Sequence, residues 1–172
     1  MRIIAGTRRG HRIAAPKGET TRPTSDFVRE TAFNLIGPVD DADVLDLFAG
    51  SGALGLEALS RGAARATFVD SDRVACRTIN ANLDKLKLDG TVLCQDVARA
   101  LASERGTFDL ILCDPPYDYA GLERLGPKLE SILARDGLLV YQSPDRVEPE
   151  IEGLSTRTSR KYGSARLTLF EH

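Results

Sequence analysis

From residue 44 onward, short apolar runs alternate with longer stretches of mixed polarity. Val44-Leu45-Asp46-Leu47-Phe48 reads as a buried strand, and residues 66–69, 91–94, 108–113 and 138–141 read as four more. Between them, residues 53–61, 72–87, 97–104 and 122–134 read as helices. Strand alternating with helix, in runs too continuous for a one-faced sheet, predicts an α/β fold whose parallel sheet is covered on both sides.

Both ends break the alternation. Residues 157–162 and 165–170 flank Gly163-Ser164 and predict a closing antiparallel hairpin. Residues 3–6 and 11–14, around Arg8-Arg9-Gly10, predict a small basic hairpin standing outside the core. Pro23-Thr24-Ser25-Asp26 leads into a helix through Asn34, with Thr24 or Ser25 as its N-cap. Residues 144–153 are acidic and proline-bearing and predict a loop. Residues 1–36 are thus expected to form a basic extension packed on the core, and residues 37–172 the main domain.

Composition narrows the setting. The 172 residues contain no apolar run near the ~20 needed to span a bilayer, and the N-terminus lacks a signal-peptide core. Cys76, Cys94 and Cys113 show no CxxC spacing and read as reduced packing residues, which places the chain in the cytoplasm. Charge is unevenly spread. Residues 1–25 hold six cations against one acid, residues 154–172 hold four against one, and the middle carries a net −10. Basic ends on an acidic body fit contact with a polyanion, although charge alone slightly favours a solvated surface.

The chemistry begins at Gly50-Ser51-Gly52-Ala53-Leu54-Gly55, a GxGxxG between the first strand and its helix. Gly50 and Gly52 let backbone N–H groups approach a ligand, and Gly55 lets the helix pack tightly on the sheet. Asp70, twenty residues on, ends the second strand where a carboxylate can accept ribose hydroxyls. These features fit a dinucleotide and an S-adenosylmethionine site equally. Asp46 shifts the balance, because a carboxylate there favours a cationic methionyl group and sits badly beside a pyrophosphate. Asp96 can accept the adenine amine, and Val97 can pack near the ring.

Asp114-Pro115-Pro116-Tyr117 follows the fourth strand directly and is the most specific signal in the chain. Two prolines donate no backbone hydrogen bonds, so the segment presents acceptors: the Asp114 carboxylate and the Pro115 carbonyl. Two acceptors hold both N–H groups of an exocyclic amine and turn its lone pair toward an incoming methyl group. Tyr117 supplies a face on which a base can stack, worth roughly 1–3 kcal/mol. Neither His11 nor His172 is needed, and without metal-ligand spacing no metal is expected.

Asp46 through Ala63, the Asp-Pro-Pro-Tyr segment and Arg22-Pro-Thr-Ser-Asp-Phe-Val-Arg-Glu-Thr-Ala-Phe-Asn34 together resemble the RsmD-type bacterial methyltransferases. The likeness runs from Arg-Ile-Ile-Ala-Gly at the start to Tyr162-Gly-Ser-Ala-Arg-Leu near the end. It implies a class I S-adenosylmethionine-dependent, Rossmann-like three-layer sandwich with a mostly parallel seven-stranded sheet, the last strand antiparallel, and an N-terminal β-hairpin arm. It implies methylation of a guanine N2 in small-subunit (16S) ribosomal RNA, the partner being an assembling or assembled small subunit and the chain a monomer. Cofactor contacts are implied at Phe48, Ala49, Gly50, Ser51, Gly52, Asp70, Ser71, Asp96 and Val97, and catalysis at Asp114, Pro115, Pro116 and Tyr117. Residues 22–34 would lie over the cofactor and active site, with Arg29 and Glu30 as contacts. Arg8, Arg9, Arg12, Arg22 and Thr24 would hold RNA, with binding that weakens steeply in salt. Two departures stand out: the fifth strand ends in Gln142 rather than an acid, and the helix after it is nearly absent. Neither is expected to touch the chemistry.

Three other functions share parts of this pattern. A nicotinamide-dependent oxidoreductase would use the glycines and Asp70, and a non-catalytic RNA-binding protein would use the basic ends. An adenine-N6 methyltransferase would use the same amine clamp.

Overall fold

The structure, a computed structural model, describes residues 1–16 and 26–172. Its helices are α1 (Asp26–Ile36), α2 (Ala53–Ser60), α3 (Arg73–Leu86), α4 (Val97–Ser103) and α5 (Leu122–Ile132). Its strands are β1 (Asp43–Leu47), β2 (Arg65–Asp70), β3 (Thr91–Cys94), β4 (Phe108–Cys113), β5 (Leu133–Pro144), β6 (Ser155–Tyr162) and β7 (Ala165–Glu171). They form one sheet in the order β3-β2-β1-β4-β5-β7-β6. The first five run parallel, and β7 lies antiparallel to both neighbours. This is the expected Rossmann-like three-layer sandwich.

The period-2 alternation of the strands divides the core into two layers. Val44, Phe68, Leu110, Leu112, Leu167 and Leu169 pack with Phe33, Leu56, Ile79 and Leu83 from α1, α2 and α3. Leu45, Leu47, Ile111, Leu139 and Phe170 pack with Leu101, Leu125 and Leu129 from α4 and α5 on the other face. Fully burying each such side chain is worth roughly 1.5–3 kcal/mol. Because β1 is central, Val44 to Leu47 are buried, and the only polar residue among those four, Asp46, is 1% exposed.

Strand boundaries depart from the sequence reading where pairing overrides hydrophobicity. β5 starts at Leu133, directly after α5, because Leu133 pairs with Phe108 before an irregularity that precedes the Leu110–Leu138 register. β1 stops at Leu47 because Phe48 takes a positive φ of 57°. Residues 145–153 contain no helix or strand, as expected, but Pro144, also expected in that loop, ends β5 opposite Ala165. Cys76 and Cys113 are buried free thiols, but Cys94 is exposed and does not pack as predicted. It ends β3, the sheet's edge strand, which no further strand covers.

The N-terminal hairpin does not stand outside the core. It is a short loop closed by one Arg2–Arg12 bridge, with a 3-10 turn at Gly6–Arg8, and Ile3 and Ile13 are buried in the α1–α3 core layer. Backbone N–H groups of Ile4 and Ala5 donate to the Glu57 carboxylate at 2.8 and 2.9 Å. Arg8 N donates to Ser60 Oγ, which donates to Ala5 O. Gly6 sits so close to α2 that a Cβ there would lie 1.7 Å from Ser60 O. Short polar groups of the arm and α2 thus satisfy each other where the two backbones meet.

Candidate active site

The carboxyl ends of the parallel strands open into a cavity of about 760 Å³. In open α/β sheets this is the edge where ligands bind. A second hollow of about 460 Å³ lies at the opposite, amino-terminal edge. It is crossed by the Arg65–Asp43 ion pair and contains none of the candidate residues.

Two acids shape the glycine loop. Asp70 Oδ2 accepts from Gly50 N at 2.8 Å and Oδ1 from Asp72 N at 2.9 Å, so one carboxylate fixes the loop to the start of α3. Asp46 Oδ2 accepts from Gly55 N at 2.8 Å. Gly55 is required there because a Cβ would fall 2.3 Å from Phe68 Cε1 and 3.0 Å from that carboxylate. Gly50 and Gly52 adopt φ values of 55° and 77°, and a Cβ on Gly50 would meet open space. Phe48, in the same left-handed region without being glycine, is held by Ala49 N donating to Val69 O and by an edge-on contact with Tyr119 at 4.9 Å. Backbone strain at a binding loop is a frequent companion of function.

On the β4 side, Asp114 is half-buried and Pro115 buried, while Pro116 and Tyr117 are exposed. Tyr119 N donates to Pro116 O, so that carbonyl is spent on the turn. Burial pushes the Asp46 carboxyl well above the usual carboxylate range, reinforced by the charges of Asp114 and Asp70 and opposed by the Gly55 hydrogen bond. Burial likewise raises the Cys113 thiol, with Asp114 and Asp46 adding to it. The acids of the two halves are therefore within electrostatic reach of each other.

Asp46, Phe48, Ala49, Gly50, Ser51, Asp70, Ser71, Asp114, Pro115, Pro116 and Tyr117 all line the cavity. Gly52 stands behind them as the N-cap of α2. Asp96 and Val97 are not brought to it: Asp96 caps α4 by accepting from Arg99 N, and Val97 packs in the α4–α5 core layer. Arg29 is fully buried and bound to Asp26, Glu57 and the Arg2 carbonyl, while Glu30 is exposed and does not line the cavity. Arg8 donates to the Leu86 and Lys87 carbonyls that end α3, so its guanidinium is spent on a helix terminus. Arg9 and Arg12 are exposed. Arg22 and Thr24, and the Thr24 or Ser25 cap, lie outside the described residues.

Several contributors went unnoticed in the sequence. Gln142, Tyr162 and Ala165 line the cavity from β5, β6 and β7, so the Gln142 departure does touch the site. Ala15 and Pro16 line it from the arm. Buried Asn82 holds that arm in place, accepting from Ala14 N and donating to Ala14 O and Ser51 O. A lone Asn on the apolar face of α3 was the available signal.

The lining residues discriminate between ligands. Asp46, Asp70, Asp72, Asp114 and Asp118 are among them, and among the described residues no Lys, Arg or His is. These acids would repel a pyrophosphate. A nucleoside carrying a sulfonium and an ammonium group matches the acids, so the site fits S-adenosylmethionine. Among the described residues no cluster of potential metal ligands exists, and no helix is long and apolar enough to cross a membrane.

Comparison with known proteins agrees with this geometry. The family model described as Conserved hypothetical protein 95 matches residues 1–171. The chain is 41% identical over 159 residues to Ribosomal RNA small subunit methyltransferase D of Escherichia coli (strain K12), covering 91% of this chain and 78% of that protein. It is 41% identical over 181 residues to YlbH of Bacillus subtilis (strain 168), covering 99% and 98%. A solved structure of yhhF from Escherichia coli superposes with a TM-score of 0.89 at 37% identity, covering 100% of this chain and 97% of that one.

Proposed function

On the premise that the chain belongs to the Conserved hypothetical protein 95 family, we propose that it methylates the N2 amine of a guanine in small-subunit ribosomal RNA. At the coarser level it is an S-adenosylmethionine-dependent ribosomal RNA methyltransferase. The observation that carries the reading is a cavity walled by acids, with a glycine loop at one end and an acceptor-only Asp-Pro-Pro-Tyr segment at the other.

When bound, S-adenosylmethionine supplies an electrophilic methyl group on a cationic sulfur. Asp70, Gly50 and Ser51 would hold its nucleoside, and Asp46 its positive charge. Asp114 and the Pro115 carbonyl accept from the target amine and fix its nitrogen, so alignment provides much of the rate. The Asp114 carboxylate also sits where positive charge grows on that nitrogen, and preorganised acceptors of this kind are usually the largest single contribution. Tyr117, 48% exposed at the rim, stacks on the base. A paired base would have to be flipped at a cost of a few kcal/mol, which favours unpaired targets. We place this reaction in the cytoplasm, on RNA within a small-subunit particle.

The test is to incubate the chain with methyl-labelled S-adenosylmethionine and small ribosomal subunits from cells lacking the enzyme, then digest the RNA and identify the labelled nucleoside. N2-methylguanosine is the expected product. N6-methyladenosine would keep the mechanism and overturn the base, and no label in any RNA would overturn the reading.

A further inference from the structure

Among the described residues, three large apolar side chains remain exposed: Phe27 at 65%, Tyr117 at 48% and Val147 at 48%. Tyr117 belongs to the site already described. Phe27, in the first turn of α1, has no part in the core, yet it makes an edge-on contact with Tyr162 at 6.3 Å and 73°. Tyr162 lines the cavity, as does Val28 beside Phe27. This aromatic pair therefore stands at the cavity rim.

The strand order says which side of the rim that is. Along the carboxyl edge, the glycine loop and Asp70 lie over β1 and β2, and Asp114 follows β4. Moving further the same way come Gln142 of β5, Ala165 of β7 and Tyr162 of β6. The pair thus lies beyond the amine clamp, on the far side from the cofactor loop. Charge changes along the same path. The cavity wall is acidic, whereas β6 carries Arg157, Arg160 and Lys161, all exposed, and no acid.

We propose that Phe27 and Tyr162 form a stacking platform for an unpaired nucleotide flanking the methylated one, with Arg160, two positions from Tyr162 and so on the same face of β6, meeting the adjacent phosphate. The inference rests on the RNA-methyltransferase reading and adds a subsite to it. A polyanion cannot lie along the acidic wall, so the strand leaving the target base is steered onto β6. There an exposed aromatic gives a base of any identity a surface to stack on, and Arg160 holds the backbone.

The chain contains no tryptophan, so Phe27→Trp places a single indole at the platform, which can be excited selectively over the chain's four tyrosines. Titrating that variant with small subunits lacking the modification should quench its emission, because a stacked base quenches indole. In steady-state methylation, Phe27→Ala and Phe27→Leu should each raise KM for the subunit roughly tenfold. Their kcat and S-adenosylhomocysteine affinity should stay at the wild-type values, and Phe27→Trp should restore KM. Arg160→Gln should weaken binding and flatten its salt dependence. Wild-type KM in Phe27→Ala, or in Phe27→Leu alone, would overturn the platform while leaving the methyltransferase reading intact. Failure of the wild-type chain to label any RNA would remove both.

Discussion

Arg29 and Glu57 meet with neither side chain exposed, the guanidinium Nε 3.7 Å from the carboxylate Oε2. The same carboxylate accepts from Ile4 N, Ala5 N and Arg61 Nε, so one buried acid ties α1, α2 and the N-terminal arm together. The arm in turn carries Ala15 and Pro16 to the cavity wall. Charge burial is here linked to the shape of the site.

Removing one partner of a buried ion pair leaves the other uncompensated, at a cost of about 3–5 kcal/mol. Glu57→Ala should therefore lower the denaturant midpoint sharply and speed hydrogen exchange at Ile4 and Ala5. Glu57→Gln, which keeps an acceptor and loses the charge, should fall between. A loss below about 1 kcal/mol for the alanine variant would show that the arm is held by Ile3, Ile13 and the Ser60 and Asn82 hydrogen bonds rather than by Glu57.

Gly6→Ala tests the arm from its other contact. The residue has a φ of 79° and its Cβ would be driven into the Ser60 carbonyl, a backbone atom that cannot swing aside. Left-handed strain and overpacking each cost about 1–3 kcal/mol. The variant should release the arm, read as new proteolytic cleavage within residues 1–16, while the sheet retains its circular dichroism. Unchanged protease resistance would refute the close approach.

The fold was largely legible because period and punctuation agreed from residue 44 onward. The glycine loop, Asp70 and Asp114 could be placed together at one cavity from the sequence because each lies at the carboxyl end of a parallel strand. Arg29 was misplaced because its sequence neighbours do not reveal Glu57, which lies 28 positions away on another helix and fully buried. Arg8 looked like a phosphate ligand until the end of α3 supplied carbonyls for it. Asp96 has the local sequence of both an N-cap and an adenine contact, and the structure shows the cap. Tyr162 and Ala165 come from strands placed next to β5 by the antiparallel return of β7, a long-range pairing that no local pattern encodes, and Gln142 follows the β5 core run beside them.

Asp46 makes a prediction about pH. Below the ordinary carboxylate value of 3.8, folded and unfolded chains both hold its proton. As pH rises, the unfolded chain releases the proton first, so stability falls from there up to the raised folded value. Asp46→Asn keeps an acceptor for Gly55 N–H and removes that loss. Its melting temperature should gain on wild type as pH rises above the ordinary carboxylate value of 3.8. Because a cation beside Asp46 favours the ionised form, S-adenosylmethionine binding by wild type should strengthen over the same window and release protons. Titration calorimetry in buffers of different ionisation enthalpy reads this, and a proton release unchanged in the Asn variant would assign it elsewhere.

Asp114 should separate chemistry from cofactor binding. Its carboxylate stands on the β4 side of the cavity, whereas Asp70 and Gly50, the proposed cofactor ligands, lie over β1 and β2. Asp114→Ala should therefore leave S-adenosylhomocysteine affinity close to wild type and lower kcat by roughly 10²–10³, the usual loss when one preorganised hydrogen-bonding group is removed. Asp114→Asn is the sharper variant. It preserves volume and one acceptor oxygen, but its amide offers donors to an amine that already has two, and it carries no charge to meet the growing positive nitrogen. If alignment were the whole contribution, the Asn variant would retain most of its kcat; if charge matters too, it should fall nearly as far as Ala. Asp70→Ala provides the opposite pattern, since losing the acceptor for Gly50 and Asp72 should weaken cofactor binding first. Equal cofactor weakening in the Asp70 and Asp114 variants would mean that the two ends of the cavity do not divide the work in this way.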